Sequence, residues 1–126
     1  MNILITGSNG FISRNLISHL YSKKYKIFEI NRDTDKKRFY SYLKQAHLIV
    51  HLAGVNRPKN NNFDQNVEIT DLICQNLIKK KLKKKIIFSS STQINLKNPY
   101  GKSKKECEKK LIFLSKKTNS QIIILR

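Results

Sequence analysis

Five short apolar runs recur along the chain: Asn2–Thr6, Lys26–Ile30, His47–Leu52, Lys85–Ser89 and Gln121–Leu125. Each is too short for a helix and rich in Ile, Leu and Val, so each reads as a strand covered on both faces. Between them the apolar positions switch to helical spacing. A helix opening after Gly10 would turn Phe11, Ile12, Leu16, Ile17 and Leu20 inward. A second, Asp33 to Gln45, would bury Phe39, Tyr42 and Leu43. A third, from about Asp64 to Lys81, carries Thr70, Ile73, Cys74, Leu77 and Ile78 at helical intervals. The fourth begins at Asn98, a good cap, with Pro99 at the first helical position, where a missing N–H is no loss. Residues 56–62 form a polar loop, and no repeat or linker divides the chain.

Strands alternating with helices imply βαβ units and a parallel sheet. Right-handed crossovers make the expected architecture α/β: a doubly wound sheet of about five strands. Such sheets bind ligands beyond the carboxyl ends of their strands. Gly7 and Gly10, Arg32, Ala53 and Gly54, and Ser89 to Thr92 all fall there.

The run Thr6-Gly7-Ser8-Asn9-Gly10-Phe11-Ile12-Ser13 leaves a strand and enters a helix. Glycines there let the backbone turn sharply and bring helix N–H groups to a pyrophosphate, which points to a dinucleotide. The third small position, usually glycine, is Ser13. After the second strand, where an acid would accept from a ribose 2′-hydroxyl, stands Asn31-Arg32. Arg32 suits a 2′-phosphate, so NADP is expected, with NAD the alternative. Asp33, one or two positions late, is expected to cap the next helix, and Arg14 is a candidate assistant to Arg32.

Tyr100 and Lys104 lie one turn apart on the last helix. A phenol has a reference pKa of about 10 and needs roughly 4 kcal/mol of help to exchange protons at neutral pH. A partly shielded ammonium about 4 Å away supplies roughly that. Alone, the spacing more often marks a packed ring beside a solvated lysine. Ser89, Ser90, Ser91 and Thr92 end the fourth strand, where one hydroxyl could hydrogen-bond a carbonyl oxygen beside the tyrosine.

Charge changes the picture less than its size suggests. The net charge is +18 over 126 residues, but the lysines are dispersed, many where helices should end and cations suit the dipole. A general lysine bias accounts for this better than a polyanion-binding face, and the basic runs lack the interleaved aromatics of single-strand recognition. Nucleic acid is therefore not the expected partner, although the field favours anionic small molecules. Cys74 and Cys107 read as packed core thiols. No histidine cluster suggests a metal. There is no charged-then-apolar leader and no apolar run near 18 residues, so a cytoplasmic protein without a membrane span is expected.

The set Thr6-Gly7-x-x-Gly10, His51-Leu52-Ala53-Gly54, Asn66, Ser89-Ser90-Ser91 and Tyr100-x-x-x-Lys104 resembles the extended short-chain dehydrogenase/reductases, the NAD-dependent epimerase/dehydratase group. The strings from His51 to Pro58 and from Asn98 to Lys104 are similar to a narrower set. These are the bacterial capsule and O-antigen reductases of UDP-2-acetamido-2,6-dideoxy-hexos-4-ulose, on the route to UDP-N-acetyl-L-fucosamine. The resemblance implies a Rossmann-like cofactor domain over residues 1–126. It covers the whole chain but only the N-terminal portion of such proteins, so the substrate-binding region is expected to be missing and turnover by the chain alone to be poor.

By that resemblance, Tyr100, Lys104 and Ser91 are catalytic: proton donor, modulator of the phenol and holder of the ribose hydroxyls, and carbonyl orienter, with Ser90 or Thr92 as substitutes for Ser91. The cofactor would touch Gly7, Asn9, Gly10, Phe11, Ile12, Arg32, Leu52, Ala53, Gly54, Ser89, Ser90, Tyr100 and Lys104, with Asn66 a polar support. It implies NADP as cofactor, a UDP-sugar as substrate, no metal, and a homodimer as a candidate assembly. An epimerase or dehydratase with bound NAD is the nearest alternative; the dehydratase fits less well, because Gln93 and Asn95 occupy a region where acids are usual. A non-catalytic polyanion-binding module and an inactive fragment are the others.

Overall fold

The computed structural model describes residues 1–126. Five parallel strands form one sheet: β1 (Asn2–Thr6), β2 (Lys26–Ile30), β3 (Leu48–His51), β4 (Lys85–Ser89) and β5 (Gln121–Leu125), in the order β2-β1-β3-β4-β5. Four of these strands coincide with the apolar runs. β3 is shorter by one residue at each end. At its exit the Ala53 N–H turns from the sheet to the Thr6 side chain, 3.1 Å away. At its entrance the His47 ring accepts from the backbone N–H of Asn2.

The register brings the strand exits level. Thr6 faces Ile30 on one side and His51 on the other, His51 faces Phe88, and Ser89 faces Leu125. Four helices return the chain: α1 (Phe11–Tyr21), α2 (Lys36–Gln45), α3 (Asp64–Lys79) and α4 (Pro99–Thr118). Alternation along β1 decides which helix lies on which face. Ile3 and Ile5 meet Leu16, Ile17 and Leu20 of α1. Leu4, Ile49, Ile86 and Phe88 point the other way, onto Phe39, Leu43, Ile73, Leu77, Leu111 and Leu114 of the other three helices. The doubly wound architecture follows. Cys74 and Cys107 are buried free thiols within this larger layer, and burial pushes the Cys74 thiol up to about 12.

Three local expectations need correction. Phe11 and Ile12 do not face inward; they are 84% and 63% exposed, while Ser13 is buried. Helical spacing joins Ser13 to Ile17 and Leu20, so the small residue takes the crowded place beside the glycine turn. α2 begins at Lys36, capped by Asp35, whose carboxylate accepts from the Arg38 N–H at 2.9 Å. Asp33 instead donates its N–H to the Asn31 side chain and stays in the turn after β2. Finally, α3 stops at Lys79, because Lys81 adopts a left-handed conformation with φ 53°.

α4 is fixed at its start. The Asn98 side chain accepts from the Gly101 N–H at 2.6 Å. A short 3₁₀ turn, Thr92–Asn95, precedes it, organised by Ser91, whose hydroxyl accepts from the Gln93 N–H. The turn presses on the helix at Gly101, where a Cβ would collide with the Gln93 carbonyl oxygen. No helix is long and apolar enough to cross a membrane. Gly101→Ala is therefore expected to lose about 1–3 kcal/mol through overpacking. A lower melting temperature would register the loss; an unchanged one would mean that the 3₁₀ turn yields freely.

Candidate active site

The first wall of the site is the turn after β1. Gly7 has φ 71°, and a Cβ there would come within 2.8 Å of the Ala53 Cα, so only glycine lets the exits of β1 and β3 approach this closely. The Gly10 N–H donates to the Gly7 carbonyl at 2.9 Å, and Gly10 then caps α1 with no side-chain acceptor. No acid stands in the first turn of α1. The leading N–H groups of this helix are thus left to whatever lies in front of them.

In front lies a cleft of about 700 Å³, bounded by Gly7, Asn9 and Gly10, by Ile30 to Asp33, by Leu52 to Val55, and by Gln65, Glu68, Ile69 and Leu72 of α3. Seven of the residues picked from the sequence meet there: Gly7, Asn9, Gly10, Arg32, Leu52, Ala53 and Gly54. Arg32 reaches across to the Gln65 side chain at 3.2 Å. Asp33, released from capping, lines the same stretch. Phe11 and Ile12 are exposed and do not line the cleft; what they can offer it is backbone N–H.

The second wall is the segment Ala53–Val55, and polar side chains hold it from behind. Asn66, 1% exposed, accepts from the Val55 N–H at 2.7 Å and donates to the Val55 carbonyl at 3.1 Å. Its amide also donates to the Ser103 hydroxyl of α4 at 3.1 Å. His51 is completely buried, its Nδ1 2.7 Å from Thr6 Oγ1 and its Nε2 2.9 Å from Thr70 Oγ1. Burial, with the Lys104 charge nearby, lowers its pKa to about 3.

α4 stands behind that second wall and lends no side chain to the cleft lining. Lys104 is 5% exposed, and its ammonium donates to the Ser89 carbonyl at 2.9 Å. It lies 5.0 Å from the Phe88 ring centre and 5.9 Å from that of Tyr100. A Cβ on Gly54 would sit 3.3 Å from this nitrogen, so Lys104 stands directly behind the cleft wall. Desolvation pulls its pKa below the ordinary lysine value. Tyr100 is half-buried, tilted against Phe63 at 5.6 Å between ring centres. The pair therefore shares one face, with the lysine beneath the ring.

The serines at the end of β4 divide. Ser89 contributes its carbonyl. Ser90 turns away from the cleft and donates to Glu108 at 2.5 Å; Glu108 also accepts from Arg126 at 3.1 and 2.8 Å. Arg126 holds that carboxyl below its ordinary range. Ser91, half-buried, caps the 3₁₀ turn leading to Tyr100. Sequence reasoning passed over Phe63, Glu108 and Arg126, and gave Thr70 a place on the helix but no partner. Only Glu108 had a legible signal: an acid one turn beyond Lys104, in line with Leu111 on the inward face. No group of three His, Cys, Asp or Glu side chains is placed to hold a metal ion.

A parallel α/β sheet with a glycine turn facing a cleft, and a Tyr-Lys pair behind it, is the build of a dinucleotide-dependent enzyme class. The sequence model of the NAD dependent epimerase/dehydratase family matches residues 3–126, and the chain belongs to that family. It is 32% identical to UDP-2-acetamido-2,6-beta-L-arabino-hexul-4-ose reductase of Pseudomonas aeruginosa, over all of this chain and 35% of that protein. It overlays the capsular polysaccharide assembling protein CapF of Staphylococcus aureus with a TM-score of 0.84 at 35% identity, again over all of this chain and 34% of the other. UDP-glucuronic acid 4-epimerase of Bacillus cereus, solved in complex with NAD, shares the fold at a TM-score of 0.81 and 21% identity. The chain thus spans about a third of the length of the reductase and of CapF.

His51 gives the site a pH signature. Folded, it stays neutral to about pH 3; unfolded, it binds a proton near 6.5. Between those values the unfolded state holds the extra proton, so stability is full above pH about 6.5. It falls on acidification by up to about 1.4 kcal/mol per pH unit. Urea midpoints at pH 7, 6 and 5 should fall steadily, and less steeply in His51→Gln. Equal slopes in the two proteins would mean that His51 charges without unfolding the chain.

Proposed function

We propose that residues 1–126 form the cofactor-binding and proton-donating domain of a nucleotide-sugar oxidoreductase. Its reaction is the reduction of a 4-keto-6-deoxy UDP-sugar with NADPH, in the cytoplasm, for surface polysaccharide synthesis. The observation that carries this reading is the buried Lys104 ammonium between the Tyr100 ring and the Gly54 wall of the cleft. The name of the Pseudomonas aeruginosa relative supplies the substrate class.

The residues present fit a dinucleotide: an uncapped α1 start for the pyrophosphate, a wall at Ala53-Gly54 with nothing larger than a methyl, and one cationic side chain, Arg32, along the cleft. When bound, the nicotinamide supplies hydride to the sugar C4. The Tyr100 hydroxyl delivers the proton to the C4 oxygen. Lys104 favours that transfer because its charge stabilises a developing phenolate, in a site where water screens little. Its remaining N–H donors can hold the ribose hydroxyls. Ser91 orients the carbonyl, and its seat beside the 3₁₀ turn keeps that hydroxyl next to the start of α4. An epimerase that retains NAD would use the same pair. Asp33 on the cleft wall favours that cofactor, since a carboxylate accepts from a free 2′-hydroxyl, whereas Arg32 favours the 2′-phosphate.

Two measurements test the reading. Titration of the chain with NADPH and NADH should give tighter binding of NADPH. Arg32→Ser should erase the preference, a change of about tenfold for one charge-assisted contact, and Gly10→Val should abolish binding of both. A preference for NADH that disappears in Asp33→Asn would assign NAD instead. With the 4-keto UDP-sugar, Tyr100→Phe should keep cofactor affinity while turnover falls about 10²–10⁴-fold. Turnover retained in Tyr100→Phe would remove the tyrosine from the mechanism.

A further inference from the structure

The polar groups behind the Ala53–Val55 segment form one continuous hydrogen-bond chain whose direction can be read atom by atom. The Asn66 carbonyl can only accept, so the Thr70 hydroxyl spends its single proton on it, at 2.8 Å. Thr70 Oγ1 is then an acceptor toward His51, and Nε2, 2.9 Å away, must carry the imidazole proton. In the neutral ring Nδ1 is left bare, so it accepts from the Thr6 hydroxyl at 2.7 Å. That hydroxyl in turn has lone pairs free for the Ala53 N–H at 3.1 Å. Every donor has one acceptor, from the cleft wall to α3.

The chain ends on Asn66, whose side chain grips both backbone groups of Val55. The same carbonyl also accepts from the Cys107 thiol at 3.1 Å. The three-residue wall is therefore held at its first residue by Thr6 and at its last by Asn66, and His51, through Thr70, joins the two grips. It sits at the exit of β3, two residues before Ala53, and stacks on Phe88 at 5.3 Å between ring centres. Lys104 lies against that same phenylalanine.

We propose that His51 is a positioning residue: as the neutral Nε2–H tautomer it fixes the polarity of a buried relay that holds Ala53-Gly54-Val55 at the distance a dinucleotide needs. A reversed relay, with the proton on Nδ1, would leave the Thr6 hydroxyl accepting from two N–H groups and its own proton without an acceptor. It would also leave a bare Nε2 facing a Thr70 lone pair with no donor between them. The first cost falls on the wall segment, because Thr6 holds Ala53 directly; the second falls on α3. This inference rests on the cofactor reading of the cleft, but the tautomer does not.

The test pairs a spectroscopic with a binding readout on the 126-residue chain. ¹⁵N NMR of the imidazoles should show His51 as the Nε2–H tautomer, neutral at pH 5. Thr70→Val removes the acceptor, whereas Thr70→Ser keeps it. The valine variant should shift the His51 ¹⁵N pattern and bind NADPH about tenfold more weakly, as for one lost buried hydrogen bond. The serine variant should bind within about twofold of the parent, the size of a small residual change. Affinities are measured on protein shown to be folded by circular dichroism, so that general destabilisation does not register. An Nδ1–H or charged His51 in the parent overturns the relay. Equal NADPH affinity in the valine and serine variants overturns its positioning role. Failure of the parent to bind either nicotinamide dinucleotide, with the tautomer as stated, refutes the cofactor reading and leaves the relay standing.

Discussion

The structure depends on one close approach: the left-handed Gly7 turn lying against the backbone of Ala53. Any Cβ at residue 7 would collide with main chain, which has nowhere to move. That contact sets the distance between the exits of β1 and the central strand, β3. It also fixes where α1 begins and where the Ala53–Val55 wall runs. The cleft is the space left in front of two strand ends pulled together, and at Gly7, Gly10, Ala53 and Gly54 its lining is backbone or little more for that reason.

Once the strand ends are fixed, the helices must bring charge to them from behind. α4 does so with two buried ionisable groups one turn apart. Lys104 surrenders its hydration shell for the Ser89 carbonyl and two aromatic rings; Glu108 does the same for Ser90 and the Arg126 fork. Leaving either without its partners would cost several kcal/mol. The two contacts tie the exits of β4 and β5 to one helix. The catalytic candidates on α4 and the serine stretch after β4 therefore cannot shift independently.

The strands were legible because they are short runs rich in Ile, Leu, Val and Phe bounded by turn residues, a signal that needs no tertiary context; the expected cover on both faces fails at β5, where Ile123 and Leu125 are exposed. The start of α4 was legible for a similar reason: Asn98-Pro99 states its own cap. Phe11 and Ile12 misled because periodicity counts apolar residues and cannot register that a serine suits a crowded contact better than a phenylalanine. Asp33 misled because Asp35, two residues on, caps equally well, and the choice turned on Asn31 capturing the Asp33 N–H. The Tyr-Lys spacing was legible but its burial was not, since that depends on Gly54 and Phe88, which are far away in sequence. The contacts of Thr70 and Arg126 were illegible: each acquires its role from a partner 18 or more residues away.

A buried cation also explains the character of its neighbours. Lys104 raises the cost of any second positive charge nearby, and it is part of what holds His51 neutral. A charged imidazole at the exit of β3 would repel the ammonium that the Tyr100 ring rests beside, in a medium that screens poorly. The groups around it are accordingly polar but uncharged: Thr6, Asn66, Thr70, Ser103 and the Cys107 thiol. They satisfy hydrogen bonds without adding charge. Burial is the larger reason that His51 stays neutral and the Lys104 charge adds to it; both residues pack against one aromatic ring, Phe88.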